Sequence, residues 1–79
     1  MTADQVVQAF ARCRLLLPAE TKAVRYSEDW REHIAFMCSQ GPEYVHCRPE
    51  KVMRWLGFVQ GVLWAHGLAP LESFKSMNR

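Results

Sequence analysis

Apolar residues recur at three- and four-residue intervals along the first stretch of the chain: Val6, Phe10, Cys13 and Leu17. Ala9 and Leu16 widen the same face, and Gln8 and Arg12 point away from it. This is the period of an α-helix that buries one side. Thr2 and Gln5 have the spacing of a capping box, in which a hydroxyl and an amide side chain each satisfy an end-of-helix backbone group. The pattern predicts a first helix from Thr2 to Leu17, stopped by Pro18, which cannot continue the hydrogen-bond ladder. Residues 18–26 break the period and read as a connector. Val24 to Tyr26 has the composition of a short extended piece but no second strand to pair with.

The period resumes with Trp30, Ile34 and Met37, with His33 at the edge of that face. Ser27 is placed as an N-cap, and Glu28, Asp29 and Glu32 follow where the positive end of a helix favours acids. The second helix is predicted from Glu28 to Gln40, with Gly41 in the left-handed C-cap position and Pro42 just past it. A second connector, 42–48, carries a helical turn around Glu43–Val45. Pro49 suits the first turn of a third helix, because its missing N–H would be unpaired there in any case. That helix continues to His66 and stops at Gly67. Pro70 opens a short last helix, Leu71 to Met77, holding Leu71 and Phe74.

The third helix departs from the usual amphipathic pattern. With residues spaced about 100° apart, Val52, Trp55, Leu56, Val59, Val62, Leu63 and His66 share one broad face. The opposite face carries Glu50 and Arg54 at its start and then Gly57, Gly61 and Ala65, flanked by Phe58 and Trp64. No Asp, Glu, Lys or Arg occurs from Trp55 to Gly67. A glycine inside a helix costs roughly 1 kcal/mol relative to alanine, so two of them need a reason. Small residues four apart form a smooth groove that lets another backbone approach closely. Two readings follow. Either the other helices cover this helix all round, or the groove meets a second copy or another protein.

Length and composition narrow the class. At 79 residues the chain makes one small domain, 1–79, with an ordinary globular composition of 49% hydrophobic and 23% charged residues. The net charge of +2 is too small to indicate nucleic acid by itself, although the basic excess falls entirely in residues 41–79. The uncharged run from Trp55 to Gly67 is well short of the ~20 residues needed to cross a bilayer. The first basic residue is Arg12, so the N-terminus lacks the charged start of a secretory signal. Three cysteines, Cys13, Cys38 and Cys47, cannot all pair within one chain, and free thiols fit a reducing compartment.

The block Arg54-Trp55-Leu56-Gly57-Phe58-Val59-Gln60-Gly61, with an upstream His33-Ile34-Ala35-Phe36-Met37 segment and the tail Glu72-Ser73-Phe74-Lys75-Ser76-Met77-Asn78-Arg79, resembles a family of small hypothetical proteins encoded in bacteriophages and prophages. The resemblance spans residues 28–79. It implies a phage or prophage gene expressed in the bacterial cytoplasm, and it brings no activity, substrate or site residues.

Candidate chemistry is thin. His33, Cys38, His46 and Cys47 are possible zinc ligands, but His33 and Cys38 diverge on one helix and no Cys-x-x-Cys pair occurs. Cys13 and Cys38 read as small core hydrophobes, and His46 as solvated. No signature sets a thiol beside a base, and so short a chain does not form a deep pocket. His66 reads as a satisfied or half-exposed histidine touching backbone carbonyls near a helix end, and Gln60 as a buried hydrogen-bonding residue. Arg48, Lys51 and Arg54 at the start of the third helix offer phosphate contacts, but the helix carries no polar side chains for base edges further along.

The expectation is an all-α bundle of three main helices plus a short C-terminal one. Its core contains Val6, Phe10, Trp30, Ile34, Met37, Val52, Trp55, Leu56, Val59 and Leu63. It is a non-enzyme without metal or cofactor, without a membrane span and without a small-molecule substrate. Its role is protein–protein interaction, with a homodimer or a host or phage protein as partner, through Arg54, Gly57, Phe58, Gly61, Trp64 and Ala65. The alternative is a nucleic-acid-binding accessory protein using Arg48, Lys51 and Arg54.

Overall fold

The capping box forms as its spacing predicts. The Thr2 hydroxyl accepts the Gln5 N–H at 3.1 Å, and the Gln5 side-chain oxygen accepts the Thr2 N–H at 2.7 Å. The first helix, α1, runs Ala3–Leu15 in the computed structural model, which describes residues 1–79 throughout. Leu17 lies beyond the helix but stays buried, because the N–H groups of Leu16 and Leu17 still bond the carbonyls of Cys13 and Arg14. Arg14 then ties down the connector, its guanidinium donating to the carbonyls of Pro18, Ala19 and Thr21.

Helix α2 spans Trp30–Gln40 and starts later than its sequence suggests. The cap is Asp29, whose carboxylate accepts the Arg31 N–H at 2.9 Å. Ser27 also has a suitable oxygen, but it accepts the Asp29 N–H at 3.0 Å and donates to the Glu32 carboxylate at 2.6 Å. Val24 to Tyr26 is not a strand. It folds over the start of α2, with the Val24 N–H on the Glu32 carbonyl and the His33 Nδ1 2.6 Å from the Arg25 carbonyl.

The end of α2 corrects a second expectation. Gly41 does not take a left-handed conformation; its φ and ψ are both −50°. The chain passes directly into a 3-10 turn, Gly41–Tyr44, in the place expected for a helical turn around Glu43–Val45. Glycine is needed there for a different reason. A Cβ on Gly41 would lie 2.6–2.9 Å from three ring atoms of Phe10. The missing side chain is the seat of that ring.

Helix α3 runs Pro49–Ala65 and α4 runs Leu71–Met77. The stop after α3 is a Schellman turn. Gly67 has φ 73°, its N–H bonds the Trp64 carbonyl, and the Leu68 N–H reaches the Leu63 carbonyl. Helices α1, α2 and α3 pack on one another through Phe10, Cys13, Ile34, Ala35, Val52, Leu56, Val59 and Leu63. The short α4 closes the bundle against α1 with Phe74 and Met77.

The fold is all-α, as expected, and eight of the ten expected core residues are buried. Trp30 and Trp55 are not. They sit half-buried at the edge of the core, because each ring lies at the margin of its helix's inward face. Leu71 points outward and Met77 takes the inward position beside Phe74. His66 falls on the core stripe by angle, yet it is exposed, since α3 has ended and only the Trp30 ring remains opposite it.

Leu56 is 2% exposed, and Leu56→Ala is expected to destabilise the fold by about 2–5 kcal/mol. Gly41→Ala improves helix propensity but forces a methyl against the wholly enclosed Phe10, so it is expected to destabilise by about 1–3 kcal/mol. Urea unfolding of the two variants checks both. An unchanged midpoint for Gly41→Ala would show that the Phe10 ring can move aside.

Candidate interaction face

Helix α3 divides the molecule. Val52, Leu56, Val59, Gln60 and Leu63 face inward and are buried. On the other side Arg54, Gly57, Phe58, Gly61, Trp64 and Ala65 are all exposed. Phe58 and Trp64 keep 53% and 52% of their surface in solvent. Apart from the adjoining residues and the helix's own backbone, no heavy atom lies within 4 Å of where a Cβ on Gly57 or Gly61 would sit. The reading in which the bundle covers α3 all round is therefore corrected. Three elements suffice to cover the inward half, and none remains for the outward half.

This exposure is not the result of a loose fold. The accessible surface is 5134 Å², close to the roughly 4,900 Å² that size scaling gives for a compact chain of this mass. The aromatics are exposed because of where they lie on the helix. The face also has a partner element that its sequence did not suggest. Gly61 and Trp64 form one wall of a cleft of about 180 Å³, and Leu71 and Phe74 of α4 form the other. The available signal was Leu71, an apolar residue the core does not use.

An amide pair between buried Gln60 and exposed Asn78 holds that cleft in shape. Gln60 and Asn78 exchange two hydrogen bonds, each 2.9 Å, which fixes the end of α4 to α3. Gln60 is thus the buried hydrogen-bonding residue expected at its position.

The basic residues at the start of α3 also come together. Arg48, Lys51 and Arg54 line one open depression with Cys47, Pro49 and Glu50. Beside it lies an aromatic seam between α2 and α3 that residue spacing left unseen. Phe36 meets Trp55 with ring centroids 6.3 Å apart, Tyr44 meets Trp55 edge-on at 6.3 Å, and the Lys51 ammonium lies about 5 Å from both Trp55 and Tyr44. Phe36 and Tyr44 fall on no periodic face, so only folding reveals their meeting. Farther along, Trp30 stacks on His66 at 3.9 Å.

The candidate zinc ligands do not converge. The His33 ring is bonded to the Arg25 carbonyl, Cys38 is buried, and Cys47 is exposed with its thiol on the Tyr44 carbonyl. No three His, Cys, Asp or Glu side chains form a group that could hold a metal ion. No helix is long and apolar enough to cross a membrane. The chain matches no protein-family model, no curated protein and no solved structure.

Cys13 and Cys38 are core residues in their chemistry as well. Burial pushes the Cys13 thiol up to about 11 from an ordinary 9.0, against a smaller opposing effect of Arg12. Burial, aided by neighbouring Cys13, pushes Cys38 up to about 12. The unfolded chain therefore loses these protons first as pH rises. Their contribution to stability is complete below pH 9 and declines between about 9 and 12. Urea midpoints are expected to fall across that window, and Cys13→Ala with Cys38→Ala to flatten the fall. Ellman's reagent at pH 8 is expected to titrate Cys47 alone until the protein unfolds.

Proposed function

We propose that this chain is a non-enzymatic protein–protein interaction module whose docking surface is the outward face of α3. The observation that carries the proposal is the open space over Gly57 and Gly61. Two interior helix glycines cost about 2 kcal/mol in propensity, and no contact inside the chain offsets that. Close approach of another backbone is the benefit a bare helix face provides. Phe58 and Trp64, both half in solvent, supply the aromatic anchors that dominate binding energy at interfaces, and Arg54 at the charged end supplies the polar rim. The cleft between Trp64 and Leu71 has room for an apolar side chain of the partner.

The partner is a second copy of the chain or a host or phage protein in the bacterial cytoplasm. The setting rests on the resemblance of residues 28–79 to phage and prophage proteins. An apolar face of this kind binds with little dependence on salt, since no counterions are released.

Gly57→Ala and Gly61→Leu test the reading. Both sit over open space, so the folded chain is expected to tolerate them, and Gly57→Ala to gain about 1 kcal/mol of stability. Association is expected to be lost in Gly61→Leu. Sedimentation velocity over a range of concentrations reports self-association, and capture from bacterial lysate on wild-type and Gly61→Leu columns reports a foreign partner. A wild-type chain that stays monomeric and captures nothing beyond what Gly61→Leu captures would end the proposal.

A further inference from the structure

We propose that the seam between α2 and α3 binds single-stranded nucleic acid, on a surface adjacent to the α3 docking face that shares only Arg54 with it. The side chains along the seam follow one another in the order Tyr26, Arg25, Phe36, Trp55, Lys51 and Tyr44. Arg25 lies 5.2 Å from the Tyr26 ring and 5.8 Å from the Phe36 ring. Phe36 and Trp55 are 6.3 Å apart, and Lys51 stands 5.2 Å from Trp55 and 5.3 Å from Tyr44. At Lys51 the seam opens into the depression lined by Arg48 and Arg54. Aromatic faces interleaved with cations along a connected surface are what a flexible strand of bases and phosphates requires.

Charge bookkeeping points to an anionic occupant. Four of the other six cations are engaged: Arg31 with Asp29, Lys75 and Arg79 with Glu72, and Arg14 with three carbonyls, while Arg12 and Lys22 form no ion pair. Arg25, Arg48, Lys51 and Arg54 have no carboxylate partner. Among the acids, Glu50 shares the depression, and Glu32 is held by Ser27. A small net charge for the whole chain thus conceals an unneutralised group of four.

The rings decide between anionic partners. An acidic polypeptide would use the cations and leave Tyr26 unused, although that residue is 85% exposed. A duplex presents phosphates but keeps its bases stacked, and the exposed face of α3 has no polar series to read base edges. Unpaired bases use both kinds of group.

Fluorescence anisotropy of labelled single strands of about 16 nucleotides, DNA and RNA, tests this with the full chain. Binding by either strand is expected. Four phosphate contacts weaken it about fifty-fold between about 50 and 200 mM salt, from a log–log slope of about −0.7 per contact. Arg48→Gln and Arg25→Gln are each expected to reduce that slope by about 0.7. Tyr26→Ala is expected to weaken binding about tenfold without changing the slope. Gly61→Leu should bind as wild type, which separates this surface from the α3 face. No binding at the lower salt, equal affinity for duplex, equally effective competition by poly-glutamate, or full affinity in Tyr26→Ala would each overturn the proposal.

Discussion

Everything else in this bundle is arranged around the contact between the Phe10 ring and the bare Cα of Gly41. Phe10 is wholly enclosed, and the three ring atoms nearest Gly41 occupy the space a side chain there would need. That contact sets how closely α1 approaches the point where α2 tightens into the 3-10 turn. The turn in turn sets where α3 begins and which of its faces meets the core. A small domain has few such contacts, so each carries a large share of its modest stability.

Once α3 is placed, its two sides have different fates. The inward side meets α1 and α2, and α4 seals one flank with Phe74, Met77 and the Gln60–Asn78 amide pair. None of these elements lies over the outward side. Helix α4 has seven residues, too few to be stable by itself, and it is already committed to closing the core. The glycines and aromatics of the outward side are left in solvent because none of the four helices packs over them.

The two surfaces bordering α3 differ in physical character. The outward face is uncharged beyond Arg54 and offers shape, with a bare groove and a neighbouring cleft. The α2–α3 seam offers charge and rings, and its cations lie against aromatic rings without a carboxylate partner. A ligand suited to one is poorly suited to the other. Neither surface depends on the buried thiols, which burial holds in the neutral form.

Local patterning in the sequence determined most of the elements. The spacing of Thr2 and Gln5, the stop at Gly67, the starts at Pro49 and Pro70, the inward stripe of α1, and that of α3 apart from its edge at Trp55 and His66 all depend on residues a few positions apart, and they appear as read; α1 itself ends at Leu15, ahead of Pro18. The six residues of the α3 face were likewise legible, because helical period alone places them on one side. Where two nearby residues offered equivalent chemistry, as Ser27 and Asp29 do at the start of α2, spacing could not choose between them. Tertiary structure decided whatever depends on residues distant in sequence. The role of Gly41 required knowing that Phe10 lies over it. The half-exposure of Trp30 and Trp55 required knowing how far α2 and α3 separate at their edges. The meeting of Phe36, Tyr44 and Trp55, the cleft that Leu71 lends to Trp64, and the openness of the space over Gly57 and Gly61 all follow from packing. Periodicity tells which residues share a face; only the packed neighbours determine what, if anything, that face touches.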